Sequence, residues 1–419
     1  MRIVIIGSGL MGVTTAYFLA RNGHQVTVLE RRESAGMETS FANSGMVTPS
    51  QADPWNSPAS LARLFSLLFR KDSPLVFSPS TVVSLIKWSL VFLRNSTPGR
   101  FHASLEKNAA LANYSLGIFR SIRRETGISY DYSENGTLKL YRNERSFDKA
   151  VKMNQSLSSM GVNLEILDSG GVLEREPALH GIGGRISGGV YYPDDEAGDA
   201  HKFCRELAGE AEKLGCEFRY NTEVTGMRYT DHCINAVSTS RGEFTGDAYI
   251  LAAGCFSVPL AKKLGISVPI RPIKGYSITM NLNGWEDGPA MPVIDDARHI
   301  AVTPLGDRIR VAGMAEFAGL DTSIRADRIR RLAGFLDEIY PDFSSFRDIS
   351  RAGQWAGLRP YCWDGVPVIG PTAITNLYLN TGQGHLGWSL SAGSGKLLAD
   401  YLSGEKMDIA IDPYRIDRF

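Results

Sequence analysis

Several common chemical signatures are missing from this chain. Cysteine occurs only five times in 419 residues, at 204, 216, 233, 255 and 362, an odd number with no CxxC pair. That pattern excludes a disulfide frame and a zinc ribbon, and it suits reduced thiols in a reducing compartment. The seven histidines show neither HExxH nor HxxxH spacing, so no metal site is expected. Net charge is also lacking. The 45 bases balance 45 acids, which argues against nucleic acid as a partner, because phosphate binding calls for a basic face. No uninterrupted apolar run is long enough to span a bilayer. There is no internal repeat and no low-complexity tract. The chain opens directly on "RIVIIG", which leaves no room for a cleavable signal peptide. The expected location is cytoplasmic, or peripheral on the inner face of the cell membrane. What is abundant is apolar side chain, 43% of residues, in a length that suits two domains.

The first thirty residues carry the clearest motif. "RIVIIGSGLMGVTTAYFLARNGHQVTVLER" reads as strand, tight turn, helix and second strand. Gly7, Gly9 and Gly12 form GxGxxG. Gly7 makes the turn, Gly9 admits a pyrophosphate close to backbone, and Gly12 lets helix and strand touch. Asn22-Gly23 is a helix stop. Glu30 ends the second strand where an acid binds ribose hydroxyls and disfavours a 2′-phosphate. Leu10, Met11 and Arg31 flank these positions and are expected beside the ligand. The motif alone leaves NAD and FAD both open.

Farther on, "ESAGMETSFANSGMVTPSQADPW" (33–55) is rich in small polar residues. Ser40, Asn43, Ser44, Gly45 and Met46 would let backbone lie against a flat ring; the plainer alternative is a surface loop. Residues 57–101 are apolar with six basic residues (Arg63, Arg70, Lys71, Lys87, Arg94, Arg100) and one acid, Asp72. Such a stretch suits either two core helices or a helix pair resting on an anionic membrane. A long amphipathic helix is predicted over 103–126, stopped by Gly127, and further helices over 144–160 and 200–214. In the last of these Asp199 is the N-cap, Phe203, Leu207, Ala211 and Leu214 point inward, and Gly215 is the stop. Strands follow, among them "GTLKLY" (136–141), the buried "AYILAAG" (248–254) and several over 268–315. A helix with Ile324, Arg328, Leu332, Leu336 and Ile339 on one side comes next. Val224, Ala253 and Gly254 lie at strand ends where the first glycine site would be completed.

A second glycine turn lies near the end, in "NLYLNTGQGHLGWSLSAGSGKLLADYLSG" (376–404). It is neither a phosphate loop nor a GxSxG nucleophile elbow. It predicts a strand, a turn of small residues and a helix over 388–403. Free N–H groups at a helix start favour negative charge, such as that on a reduced flavin. Gly382, Gly384, His385, Leu386 and Gly387 would then hold the isoalloxazine ring, while the first turn holds the pyrophosphate. NAD has no use for the second turn. The alternative is an ordinary tight corner.

Seven stretches together resemble the D-amino-acid dehydrogenases within the D-amino-acid oxidase and glycine oxidase family of flavoproteins. They are "GSGLMGV", "ETSFANSGMVTP", "YYPDDEAGDAHKF", "RPIKGYS", "RIRVAGMAE", "WAGLRPYCWDGVPVIGPT" and "NLYLNTGQGHLGWSLSAGSGKLL", and the resemblance covers nearly the whole chain. It implies an α/β plus α+β fold. A Rossmann-type FAD-binding domain (1–50, 190–266 and 351–419) would interleave with an antiparallel-sheet substrate domain (51–189 and 267–350). It implies FAD as cofactor, and a D-amino acid oxidised by hydride transfer from Cα to flavin N5, giving a 2-oxo acid and ammonia. The handedness of the substrate comes from the resemblance alone.

Within that family the arginine of the "GLRP" segment clamps the substrate carboxylate, which carries over to Arg359. Its planar fork suits two-point recognition of a carboxylate. Tyr276 could add a hydroxyl, Lys274 would lie near the flavin edge, and His385 would touch flavin or substrate. Three departures fall near the pocket: Gln383 and His385 alter the family's "GHGTLGW", "TPSQ" lacks an aromatic residue, and Ala301 stands where relatives have a carboxylate-binding tyrosine. Cys362 is not where relatives with covalent flavin place their cysteine, so FAD is expected to be non-covalent. The basic stretch 57–101 leans towards a quinone or other respiratory acceptor. Competing readings are D-proline or cis-4-hydroxy-D-proline dehydrogenation, an oxidase using O2, an NAD-dependent amino-acid dehydrogenase, and a non-catalytic FAD-binding subunit.

Overall fold

The computed structural model describes residues 1–57, 75–77 and 82–419. Two large sheets organise the chain. The first has six strands in the order Val368–Pro371, Leu377–Thr381, Ala248–Leu251, Arg2–Ile6, Gln25–Leu29 and Glu217–Arg219. All neighbours in it are parallel except the first pair. Its central strands "RIVII" and "AYIL" are apolar almost throughout because both faces are covered, one by helices and the other by a three-stranded antiparallel sheet (Val224–Thr230, Cys233–Thr239 and Gly242–Phe244) with the short helix Ser257–Lys263. The helix Leu10–Arg21 is buried along nearly its whole length. It packs on the last helix, Ser391–Ser403, so tightly that a Cβ on Gly395 would sit 2.4 Å from Thr14 Oγ1.

The second sheet is mostly antiparallel. Its order is Gly353–Cys362, Ile270–Asn281, Arg308–Phe317, Ile300–Leu305, Val293–Asp295, Thr137–Tyr141, Gly188–Tyr192 and Glu165–Asp168, with Leu75–Phe77 added beside Arg308–Phe317. The strand Gly353–Cys362, which the sequence groups with the cofactor segments, pairs over its full length with Ile270–Asn281 in this sheet. The chain crosses to the first sheet only after Cys362. The helix Ala326–Ile339 buries Leu332, Leu336 and Ile339 beneath the second sheet, whereas Ile324 precedes it and is exposed.

Loop 39–44 is stitched to the second sheet by three bonds. Thr39 Oγ1 donates to the Leu358 carbonyl at 2.9 Å, Ser277 Oγ to Ala42 at 2.7 Å and Thr303 Oγ1 to Ser44 at 2.7 Å. The last two satisfy backbone carbonyls of the irregular loop itself. The helix Pro98–Thr126 ends at Gly127, with φ +68, as glycine's freedom in the left-handed region permits. It starts five residues earlier than its apolar spacing indicates, because Pro98 occupies a first-turn position that needs no N–H. Asp199 caps the helix Ala200–Lys213, accepting from His201 and Lys202 N–H. Leu214 lies beyond that helix and is exposed. Residues 58–74 and 78–81 of the basic stretch, including Arg63, Arg70 and Lys71, lie outside the described residues. Among the described residues no helix is long and apolar enough to cross a membrane.

Candidate active site

A cavity of about 830 Å³ runs between the two sheets, lined at one end by Gly7, Gly9, Glu30 and Val224 and at the other by Trp88, Arg359 and His385.

The first end is made by the glycine turn. Gly7 has φ +102, and a Cβ there would stand 2.9 Å from the Ala252 carbonyl. A Cβ on Gly12 would lie 1.8 Å from the Gly7 carbonyl, so Gly12 serves helix-strand contact and does not line the cavity. Gly9 differs: its Cβ would meet only Ser40 Oγ, at 3.4 Å. Ser40 Oγ in turn accepts from Leu10 N–H at 3.2 Å. Glu30 is buried, and its carboxylate accepts from Ser8 N–H and Oγ, both at 2.8 Å, and from Arg32 N–H at 2.9 Å. These bonds fix the acid at the strand end. Arg31 lies 3.8 Å over the Phe256 ring and donates to Glu38 at 3.0 Å. Leu10, Met11, Asn43, Ser44, Met46, Ala253 and Gly254 all line the same cavity.

Gly45 does not. With φ +77 and its carbonyl accepting from Gly198 N–H at 2.8 Å, it shapes the loop. Gly382 likewise lies off the cavity, at φ +87 against Ile270. The expected helix start at 388 is also displaced. A short 3₁₀ turn, Gly384–Leu386, lines the cavity, and the α-helix begins only at Ser391. One N–H of that helix start is already used, by Gly393 on Ser115 Oγ at 3.0 Å. The turn, not the helix terminus, therefore lines the cavity.

At the far end Arg359 is half-buried, and among the described residues no carboxylate pairs with it. Its Nη1 donates to the Met314 carbonyl at 2.9 Å. That carbonyl is presented by an irregularity: the register slips between Lys274 and Tyr276, and Met314 takes φ +66. Burial pulls the Arg359 pKa down to about 10, leaving it charged at neutral pH. The guanidinium lies over Gly275, where a Cβ would fall 2.4 Å from Nη1. Trp55 flanks it at 5.7 Å and stacks on His385 at 5.0 Å and on Tyr361 at 5.3 Å. Burial, with Arg359 adding, brings the His385 pKa down to about 3, so the ring is neutral.

Two expected site residues are placed differently. Lys274 is fully buried, bonded to Asp321 at 3.0 Å, and does not line the cavity. Strand alternation turns it away from Ile273 and Gly275. Tyr276 lines the cavity, but its hydroxyl donates to Glu316 at 2.8 Å, so it is already committed. Other lining residues carry little local signal in the sequence: Trp88, Phe92 and Trp355 around Arg359, and Gln51, Asp53, Lys139 and Asp296. Lys139 alone was detectable, as a charge inside the otherwise apolar strand "TLKLY". Cys362 is buried away from the cavity.

A GxGxxG turn between strand and helix, a buried acid at the end of the next strand and a long cavity ending at an arginine without an acidic partner among the described residues are the pattern of a dinucleotide-dependent oxidoreductase. The chain belongs to the DAO family of FAD dependent oxidoreductases, whose pattern matches residues 2–401. It is 42% identical over 409 residues to the D-amino acid dehydrogenase of Granulibacter bethesdensis, covering 98% of this chain and 97% of that one. It is 40% identical over 420 residues to that of Methylobacterium radiotolerans, covering both chains completely. Its fold matches a glycine oxidase from Bacillus cereus with TM-score 0.76 at 23% identity, over 98% of this chain and 97% of that one. It also matches an L-proline dehydrogenase from P. horikoshii with TM-score 0.78 at 19% identity, over 100% and 98%.

The cavity suits FAD on its own terms. Gly9 leaves open the space a side chain would fill, and the buried His385 Nδ1 and Trp388 Nε1 both line the cavity without partners of their own.

Proposed function

We propose that the chain is a D-amino acid dehydrogenase that converts the substrate to its imino acid, which water then hydrolyses to a 2-oxo acid and ammonia. The observation that carries this reading is Arg359. A desolvated guanidinium without an acidic partner, at the inner end of a cofactor-sized cavity, calls for an anionic ligand. An α-carboxylate supplies it with two charge-assisted bonds.

FAD, when bound, accepts the two electrons that leave Cα as a hydride. Gly7, Gly9, Glu30 and Ser40 would hold its nucleotide half, and Gly384, His385, Leu386 and Gly387 its ring. The chain's own part is to bind, orient and dry the substrate. Arg359 fixes the carboxylate, and the Met314 carbonyl and Gly275 fix Arg359. Trp55, Trp88 and Phe92 keep water from that end. His385, being neutral, adds no positive charge to repel a protonated amine. No side chain is required as base if the amine loses its proton on binding.

The names of the relatives and the apolar, basic stretch 57–101 support a quinone or similar acceptor rather than O2. An anaerobic screen of D- and L-amino acids, followed by flavin absorbance near ~450 nm, tests the reading. Bleaching by D-amino acids and not by L-amino acids or simple amines is expected. Bleaching by none would leave a non-catalytic FAD-binding subunit. Reoxidation by a quinone analogue much faster than by air is expected next.

A further inference from the structure

The cavity wall is not uniformly apolar. Away from Arg359, the side chains of Gln51, Asp53, Lys139 and Asp296 line it together. They come from three separate segments. Lys139 projects from Thr137–Tyr141, and its Nζ lies 3.3 Å from Gln51 Oε1 and 3.5 Å from Asp296 Oδ1. Burial opposes charge on Lys139, yet Asp53 and Asp296 together hold its pKa above the usual lysine value. The neighbouring Asp295 is already satisfied by Arg142, at 2.7 Å.

Asp53 is the member left short. Its carboxylate has a hydrogen bond from its own backbone and feels the charge of Lys139, but no side chain among the described residues hydrogen-bonds to it. Burial pushes its pKa up. Two carboxylates face one ammonium, so the cluster has spare acceptor capacity and lacks donors. His385 sits beside it, against the backbone of Gln51 and Asp53, and feels the charges of both Arg359 and Lys139. Its buried Nδ1 has no partner. A buried polar group without a partner is costly unless a ligand completes it. The surroundings of Arg359 contrast with this, since Ile273, Trp55, Trp88 and Phe92 offer mainly apolar contact and no acceptor, the buried Trp88 Nε1 being a donor without a partner.

We infer that Asp53, beside the Lys139–Gln51–Asp296 group, is a specificity residue that accepts a hydrogen bond from a hydroxyl or protonated nitrogen on the substrate side chain. The inference rests on the D-amino acid reading above. It makes the enzyme favour donor-bearing side chains over aliphatic ones of similar size. A site built to bond a donor rejects the analogue that lacks it, because its own polar groups are then left unpaired.

The test uses holoenzyme and matched substrate pairs: D-threonine against D-valine for the hydroxyl, and D-lysine against D-norleucine for the cation. In at least one pair the wild type should prefer the donor member. Asp53→Ala should cut kcat/KM for that member by at least about tenfold and change the aliphatic partner by less than about twofold, with FAD content unchanged. Asp53→Asn is the near-isosteric variant. It should lose preference for the ammonium and keep much of it for the hydroxyl, which separates the two donors. Lys139→Met should weaken the same preference. Equal losses for both members of a pair, an unchanged ratio, or loss of FAD from Asp53→Asn would overturn the assignment. A wild type that oxidises no D-amino acid defeats the functional reading itself. One that oxidises both members of each pair equally defeats only this inference.

Discussion

Two strand–turn–helix corners, about 370 residues apart in sequence, face the same cavity and are built on different principles. At Gly7–Gly12 backbone meets backbone. The missing Cβ atoms would collide with the Ala252 and Gly7 carbonyls, and the helix starts at once, at Leu10. At Gly382–Gly387 glycine meets side chains. A Cβ on Gly384 would lie 2.8 Å from the Tyr361 ring, and one on Gly387 would touch nothing nearer than 3.9 Å. The helix waits until Ser391. Rigid main chain cannot yield, whereas a stacked aromatic can shift. The first corner is therefore a fixed seat, and the second is shaped by Trp55, Tyr361 and His385 stacked against it.

The sharpest break between the two comes from adding one methyl group to each. Gly12→Ala puts a carbon where only 1.8 Å is available to a carbonyl oxygen, so strand and helix must separate. Overpacking of that kind costs several kcal/mol. The variant should be insoluble or colourless. Gly387→Ala, with open space, should purify folded, as circular dichroism and gel filtration would show. Equal yields of folded, yellow protein from both would erase the distinction.

Gly9→Val separates seat from scaffold. Its Cβ meets only Ser40 Oγ, so the chain should fold normally, but the side chain takes the room a pyrophosphate needs. The expected result is a folded protein that purifies without FAD, or loses it on dilution. Stoichiometric FAD in this variant would show that the nucleotide enters elsewhere.

Arg359 tests the other end of the cavity. Hydrogen bonds to charged groups contribute roughly 1.5–3 kcal/mol each. Arg359→Lys should therefore lower kcat/KM for the best amino acid by about tenfold to a few hundredfold, with FAD retained. Gly275→Ala, which pushes the guanidinium from beneath, should do the same more weakly, by roughly tenfold. If Arg359→Lys keeps full activity, the carboxylate is held by another group.

How far the sequence foretold these features depends on how local their causes are. The first corner was legible because GxGxxG, the following helix and Glu30 are all set by neighbouring residues. The Asp199 cap and the Gly127 stop were legible for the same reason. The start of the last helix was not. "GWSLSAGSG" reads as continuous helix, and the delay to Ser391 coincides with a bond from Gly393 to Ser115, 278 residues away in sequence. Lys274 was misplaced because which face of its strand turns to the cavity is settled only by the pairing of that strand within the second sheet. Arg359 could be named from its segment. The glycine beneath it could not, since that contact depends on Gly275 pairing with Gly357. Asp53, Lys139 and Asp296 share no segment at all.

The last contrast is in response to acid. The first corner contains no histidine; the second carries His385, neutral in a buried stack. Its pKa is brought down to about 3 by burial and Arg359, against about 6.5 in an unfolded chain. The unfolded state thus binds the extra proton first. This histidine's contribution is fully present above pH ~6.5 and shrinks as pH falls towards 3. Between pH 8 and pH 5 the loss is at most about 2 kcal/mol, from roughly 1.5 pH units at 1.36 kcal/mol per unit. His385→Gln removes the titrating group and leaves a polar side chain of similar reach. Melting temperatures of the wild type and His385→Gln, both with FAD bound, should differ most at pH 8 in favour of the wild type. That gap should narrow or reverse by pH 5. A gap independent of pH would mean that the imidazole titrates in the folded protein as it does in the unfolded chain, and a gap that widened towards pH 5 would mean that the second corner holds a cation beside Arg359.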